Sequence, residues 1–329
     1  MSMNSNSTPS SAKQVFLLGA GFTRAVMETK APLTNEIMPK LDLSGFPEII
    51  GDYEDTFPDI EQFITQTDLK CLRFDKNNVS LSKRLNEIRD NIVEQIVRMF
   101  DVEVLSVDSL DNFPTLKKFI GFVPANSTIL TLNYDLVLDQ GLWLSKRWSP
   151  GGGYCISSFP YSDEENKKKG NILLLKLHGS CNFRNSPNFK EYPKIEITDT
   201  IFPNISSKIN TRNSTLDAGS HVLVMSYIKM PHSGIIELWR KALDSLKDAD
   251  RLTIIGCSLR DEDTFLKFAL YHFGMKENTE RFKIDVINIG EENCRCLESK
   301  VKNLVARPDQ QEINLYDTGL QGYLEKCQN

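Results

Sequence analysis

Gln14-Val15-Phe16-Leu17-Leu18-Gly19-Ala20-Gly21-Phe22-Thr23-Arg24 decides how the rest of the chain is read. The apolar run Val15–Leu18 reads as a strand buried on both faces, the habit of a parallel sheet. Gly19 and Gly21 follow at once, and glycine permits both a tight turn and a close approach of backbone N–H groups to a ligand. A helix opening there directs its unpaired N–H groups and the positive end of its dipole at one point, which suits a diphosphate. Arg24 stands where the dinucleotide fingerprint has its third glycine, so the fingerprint is incomplete. Taken alone, the stretch is equally an ordinary strand–turn–helix corner.

Working outward, the same grammar recurs. Ser127–Leu132 is a β-prone run that ends at Asn133-Tyr134-Asp135, and Asn171–Leu177 ends at His178-Gly179-Ser180. His221–Met225, Arg251–Gly256 and Lys283–Ile289 read as strands, with amphipathic helices at Ile235–Leu246 and Asp263–Phe273 between them. Strands alternating with helices predict an α/β fold, a doubly wound, mostly parallel (Rossmann-like) sheet with right-handed crossovers. The Ser/Asn-rich residues 1–12 read as a disordered tail, and 13–329 as one domain. Residues 40–120 lack clear strands and read as a helical insertion. Within it, Leu81–Phe100 carries Leu85, Ile88, Ile92, Ile96 and Met99 on one face. The polar, Pro- and Asn-rich stretch 182–220 reads as a long crossing over the site.

Composition narrows the function classes. Apolar residues make up 40% and charged residues 25% of 329, as in soluble globular proteins. A formal charge of -5 argues against a surface built for nucleic acid. No apolar run reaches membrane-spanning length and no signal-peptide pattern opens the chain, so a cytoplasmic location is expected. The 7 cysteines include no Cys-x-x-Cys pair, so no structural zinc is expected and the thiols read as free.

In doubly wound sheets, ligands lie beyond the carboxyl ends of the strands. The informative residues are therefore Gly19-Ala20-Gly21, Asn133-Tyr134-Asp135, His178-Gly179, Gly256-Cys257-Ser258 and Asn288. By itself a histidine after an apolar run is usually structural, and His221, His232 and His272 are left so. Asn133 by itself could cap the following helix. Cys257 reads as a packed thiol.

Together these residues carry a resemblance. Gly19-Ala20-Gly21-Phe22-Thr23, Thr131-Leu132-Asn133-Tyr134-Asp135 and Lys176-Leu177-His178-Gly179-Ser180 resemble the three core motifs of the sirtuin family. Gly256-Cys257-Ser258-Leu259-Arg260-Asp261 and Val286-Ile287-Asn288 resemble its later ribose-contacting segments. The variant resembled is the bacterial sirtuin-like branch of antiviral defence, whose members hydrolyse NAD; Tyr227-Ile228-Lys229 and Leu238-Trp239 look like that branch too. Protein-deacetylating sirtuins carry a four-cysteine zinc module, which no cysteine spacing here could build.

The resemblance implies an NAD+ hydrolase that releases nicotinamide and ADP-ribose and acts as an antiviral, abortive-infection effector. It implies NAD as substrate, no metal, His178 as general base, Asn133 holding water and a ribose hydroxyl, and Asp135 orienting them. The diphosphate would lie on Gly19, Ala20, Gly21, Phe22 and Thr23, and the adenosine ribose near Gly256, Ser258 and Asn288. Such an enzyme needs gating, so a homo-oligomer or a partner protein is expected. A non-catalytic NAD or ADP-ribose sensor, and less readily a deacylase or ADP-ribosyltransferase, are the alternatives.

Overall fold

The computed structural model describes residues 13–28, 31–45, 59–73, 79–100, 107–156, 171–185, 195–197, 221–227, 233–275 and 282–328. The tail read at 1–12 lies outside them, as do His232 and most of the crossing read at 182–220. The strands are β1 (Gln14–Leu18), β2 (Thr128–Thr131), β3 (Leu173–Lys176), β4 (Gly179–Asn185), β5 (Ile195–Ile197), β6 (His221–Leu223), β7 (Arg251–Ile255), β8 (Phe282–Ile287) and β9 (Gln311–Tyr316).

Six of them form one sheet in the order β3-β2-β1-β7-β8-β9, with every neighbouring pair parallel. The chain starts in the middle, steps out to β3, then resumes at β7 on the other side of β1. The winding therefore reverses between β1 and β7, which is the doubly wound sheet that the alternation predicts. β1 is buried along its whole length because it is paired on both edges and covered on both faces.

The helices are α1 (Ala20–Val26), α2 (Ile60–Arg73), α3 (Val79–Met99), α4 (Pro114–Phe122), α5 (Val137–Leu144), α6 (Ser233–Asp248), α7 (Thr264–Tyr271), α8 (Glu291–Leu304) and α9 (Gly319–Gln328). α1, α4 and α9 pack on one another in one layer, and α6, α7 and α8 make the other. Aromatic residues bind the first layer to the sheet. Phe119 of α4 stands edge-on to Phe16 at 5.7 Å and to Phe22 at 4.8 Å, and Phe122 meets Tyr323 of α9 at 5.5 Å. Each such pair adds about 0.5–1.5 kcal/mol beyond the area it buries. The stripe read along Leu81–Phe100 is the buried face of α3: Leu85, Ile88, Ile92 and Ile96 are all inside, against α2. Among the described residues no helix is long and apolar enough to cross a membrane.

The strand read at His221–Met225 does not join the central sheet. β6 pairs antiparallel with β4, whose other edge pairs with β5, in a separate small sheet. β4 also takes up the first residues of the stretch read as an open crossing. Its inward Ser180 and Asn182 are fully buried yet polar, so no apolar alternation marks it as a strand.

The central sheet is pinned at its point of reversal. Gly19 N–H donates to the Ile255 carbonyl and Gly21 N–H to the Gly256 carbonyl, both at 3.0 Å. A Cβ on Gly19 would stand 2.5 Å from the Gly256 oxygen. Gly256 itself has φ +58, where a side chain is strained, and its Cβ would run into the Phe22 nitrogen. Gly256→Ala should therefore lower the stability read from urea unfolding by more than ~2 kcal/mol. Gly121→Ala, on α4 with nothing within 4 Å of an added Cβ, should raise it by about 0.5–1 kcal/mol.

Candidate active site

The carboxyl ends of β1, β2, β3, β7 and β8 open on one cavity of about 740 Å³. β1 contributes Gly19, Ala20, Gly21 and Thr23, β2 contributes Asn133 and Asp135, and β3 contributes His178. β7 contributes Gly256 and Ser258, and β8 contributes Asn288. Neighbouring strands lie about 4.8 Å apart, so the four steps from β3 to β8 span roughly 19 Å. Phe22 is the exception among the expected residues: its ring is 1% exposed and packs into the core on Phe119. The glycine turn also differs from expectation in detail. Its Gly19 and Gly21 N–H groups are engaged by β7, so what it offers the cavity is the close approach of bare backbone.

Asn133 is held by both of its amide hydrogens. Nδ2 donates to the Gly19 carbonyl and to Thr23 Oγ1, each at 2.9 Å. Turning the amide over would set its oxygen against that carbonyl, so Oδ1 is the atom left to accept from a ligand. Thr23 passes the chain on, donating to Asp135 Oδ2 at 2.8 Å, while Asp135 Oδ1 accepts the Val137 N–H at 3.1 Å. Asn133 thus does not cap α5; Asp135 supplies that bond and orients Asn133 through Thr23. Burial holds the Asp135 carboxyl above the usual carboxylate range, against the pull of Lys176, the Thr23 hydroxyl and the Val137 N–H.

Beneath this turn lies a buried charge network. Lys176, the last residue of β3 and 1% exposed, donates to the Asp135 carbonyl and lies 3.2 Å from Asp139 Oδ2. Asp139 also accepts from the Tyr154 hydroxyl, which in turn accepts from Asn182 Nδ2 at 3.3 Å. A buried lysine needs such partners, since an unpaired charge there would cost several kcal/mol. The network ties the end of β3 to the β2 turn, two residues before His178.

His178 is 3% exposed, between Tyr134 and Trp239, whose ring centroids each lie 6.4 Å away. The chain leaves it through Gly179 at φ +87, whose hydrogen faces the Val222 carbonyl where a side chain would collide. Asp263 Oδ1 lies 3.4 Å from His178 Nε2, and both side chains are almost fully buried. Burial, with Glu61 and Asp263 nearby, holds the Tyr134 phenol well above the ordinary tyrosine value. Its hydroxyl is buried at the cavity wall with no hydrogen-bond partner among the described residues. Burial likewise pushes the Cys257 thiol up to about 12, which makes it a packed thiol and a poor nucleophile.

Sequence reasoning missed part of the wall. Asp59 and Glu61, at the start of α2, line the cavity with Arg260 and Asp263 from the loop after β7. Arg260 pairs with Asp59, and its Nη1 lies 3.5 Å from Glu61 Oε2. The motif Gly256–Asp261 already held Arg260; nothing in the sequence linked it to a segment some 200 positions earlier. Among the described residues no group of three or more His, Cys, Asp or Glu is placed to hold a metal ion.

Fold and cavity together define a Rossmann-like α/β domain with its cleft at the reversal point of the sheet. Residues 127–282 match the family model described as SIR2-like domain. That span holds Asn133, Asp135, His178, Gly256, Ser258 and Asp263, and leaves Gly19–Thr23 and Asn288 outside. The match covers a little under half of the chain. No curated protein matches the chain. It is similar to a solved structure on the mechanism and regulation of Sir2 enzymes, at 12% identity, 97% of this chain, 93% of that one and a TM-score of 0.41. A structure on sirtuin substrate affinity gives 13% identity, 95% and 92% coverage and a TM-score of 0.37. A Sir2 mutant with a p53 peptide and NAD gives 11% identity, 95% and 91% coverage and a TM-score of 0.36.

The Thr23 relay is testable by stability. Thr23→Val leaves Asn133 and Asp135 each short of a buried partner and should cost about 1–3 kcal/mol. The Thr23 hydroxyl favours ionised Asp135, and a raised carboxyl costs stability as pH rises through its folded value. The deficit of Thr23→Val should therefore be larger at pH 7 than at pH 4 in denaturant unfolding, and Thr23→Ser should recover most of it.

Proposed function

We propose that this chain hydrolyses NAD+ at the bond between nicotinamide and ribose, releasing nicotinamide and ADP-ribose. What carries the reading is that Asn133 and His178 line the same cavity as the glycine crossing of β1 and β7. A volume of about 740 Å³ is that of an ordinary small-molecule cleft. Its reach of roughly 19 Å across five strand ends suits two joined nucleotides better than one.

In this reading the nicotinamide ribose lies at the His178 end and the adenosine ribose at the Ser258 and Asn288 end. The leaving group is already a pyridinium cation. Its ring nitrogen takes the electron pair of the breaking C–N bond and departs as neutral nicotinamide, with no proton needed. Water attacks the anomeric carbon through an oxocarbenium-like transition state and must lose one proton. His178 receives it, directly or through a ribose hydroxyl, as a neutral imidazole near pH 7 is suited to do. Asn133, with both hydrogens committed, accepts from the water or a ribose hydroxyl through Oδ1. That rigid acceptor holds the nucleophile in line, which is where positioning contributes most. Asp135 acts through Thr23 and keeps the amide fixed.

The reading extends to physiology on the resemblance alone. A free NAD hydrolase would drain its own cell, so the activity is that of a cytoplasmic antiviral effector held silent until self-assembly or a partner protein switches it on.

Chromatography of NAD+ incubated with the protein, across concentrations that span its self-association, should show nicotinamide and ADP-ribose in equal amounts. His178→Ala and Asn133→Ala should each lower the rate by ~10²-fold or more while the far-ultraviolet spectrum stays native. Wild-type turnover in either variant would remove the site assignment. ADP-ribose binding without turnover would favour the sensor instead.

A further inference from the structure

Asp263 occupies the N-cap position of α7, where an aspartate ordinarily turns its carboxylate back onto the first free N–H groups of the helix. Here it makes no such bond. The Thr264 N–H instead donates to the Glu262 carbonyl at 2.8 Å. The Asp263 carboxylate faces the other way, 3.4 Å from His178 Nε2. A helix start that forgoes its favoured cap, and a carboxylate that forgoes water, are local losses of the kind that cluster at functional sites.

Asp263 is a charge that the ring meets directly, and the other groups around it are engaged elsewhere or uncharged. From the β2 turn, Tyr134 flanks the imidazole with a phenol that burial keeps un-ionised. From α6, Trp239 flanks it without charge. From α2, Asp59 and Glu61 are turned to Arg260, which also lies 3.7 Å from Glu262. Asp135 is bonded to Thr23 and the Val137 N–H.

We propose that Asp263 is a positioning residue for His178, its carboxylate fixing the orientation of the imidazole and stabilising the imidazolium that forms when His178 takes up a proton. The pairing stands on geometry alone; its consequence for turnover rests on the hydrolase reading. If His178 must be neutral to accept a proton from water, the rate rises with pH as His178 loses its own. A neighbouring carboxylate moves that limb to higher pH and removing it moves the limb down.

The test reads the pair with and without turnover. The chain has 4 histidines, so ring-carbon NMR resolves their titrations, and His178→Gln assigns the signal. Asp263→Asn, nearly the same shape without the charge, should lower the His178 midpoint by about one pH unit or more. The acid limb of kcat/KM for NAD+ should move down with it. kcat should fall ~10-fold while KM changes little, and Asp263→Glu should recover part of kcat. Asp263→Ser provides a second charge-free variant should the first fold poorly. A His178 midpoint that stays or rises in both charge-free variants overturns the proposal. A midpoint that falls in a protein that never cleaves NAD+ supports the pair and overturns the hydrolase reading.

Discussion

Two backbone hydrogen bonds hold the site together: Gly19 N–H to Ile255 and Gly21 N–H to Gly256. They lock the turn after β1 onto the end of β7, where glycines on both sides let the two backbones meet with no side chain between them. The Gly19 carbonyl, fixed by that contact, receives Asn133 Nδ2. Thr23, one turn into α1, receives the other hydrogen and hands a bond to Asp135. The amide of Asn133 therefore reports the position of a glycine 114 residues away. A small displacement of the β1–β7 crossing would be felt at once by the Asn133 amide.

The second support is electrostatic and comes from below. Lys176 lies at the end of β3 with almost no exposure, and its ammonium joins the Asp135 carbonyl to Asp139. A charge this deep is tolerated only with close partners, and removing one leaves the other stranded at a cost of about 3–5 kcal/mol. That penalty makes the β2 turn and the β3 end a single rigid unit. Asn133 and His178 are the residues displayed by its two arms. The Lys176 ammonium thus ties together the two chain segments that carry the amide and the imidazole.

Much of this was legible in the sequence because it followed period and punctuation. Short apolar runs ending in Gly, Asn or His gave the central strands, and their order fixed which edge holds a ligand. What stayed hidden shares one cause: its signal is spatial. β4 is buried from Gly179 to Phe183, polar Ser180 and Asn182 included, and β9 is an edge strand with only partly buried apolar residues, so neither shows clean alternation. β6 looks like any parallel strand and joins the small sheet only because β4 is there to receive it. Asp263 appears in the sequence only as the start of a helix; that its carboxylate turns to His178 depends on a loop and a strand end meeting in space. The glycines of the β1 turn line the cavity, yet the N–H groups of Gly19 and Gly21 are bonded to β7 and not turned to the cavity.

The charge layout of the cavity gives the proposed substrate an orientation. Asp59, Glu61 and Asp263 gather on the wall with His178 and Tyr134, and Arg260 answers the first two. A diphosphate placed against that wall would meet carboxylates, with Arg260 already engaged by Asp59 and Glu61. The pyridinium of NAD+ carries the opposite sign and loses it when the bond breaks, so a carboxylate wall favours its arrival and gives no hold on the neutral nicotinamide that leaves. The same wall suits the positive charge that passes to the ribose in the transition state, which is the charge that matters for rate. On the hydrolase reading, α2 is then part of the chemistry's electrostatics and not merely a cover, because it is the element that brings Glu61 to the site.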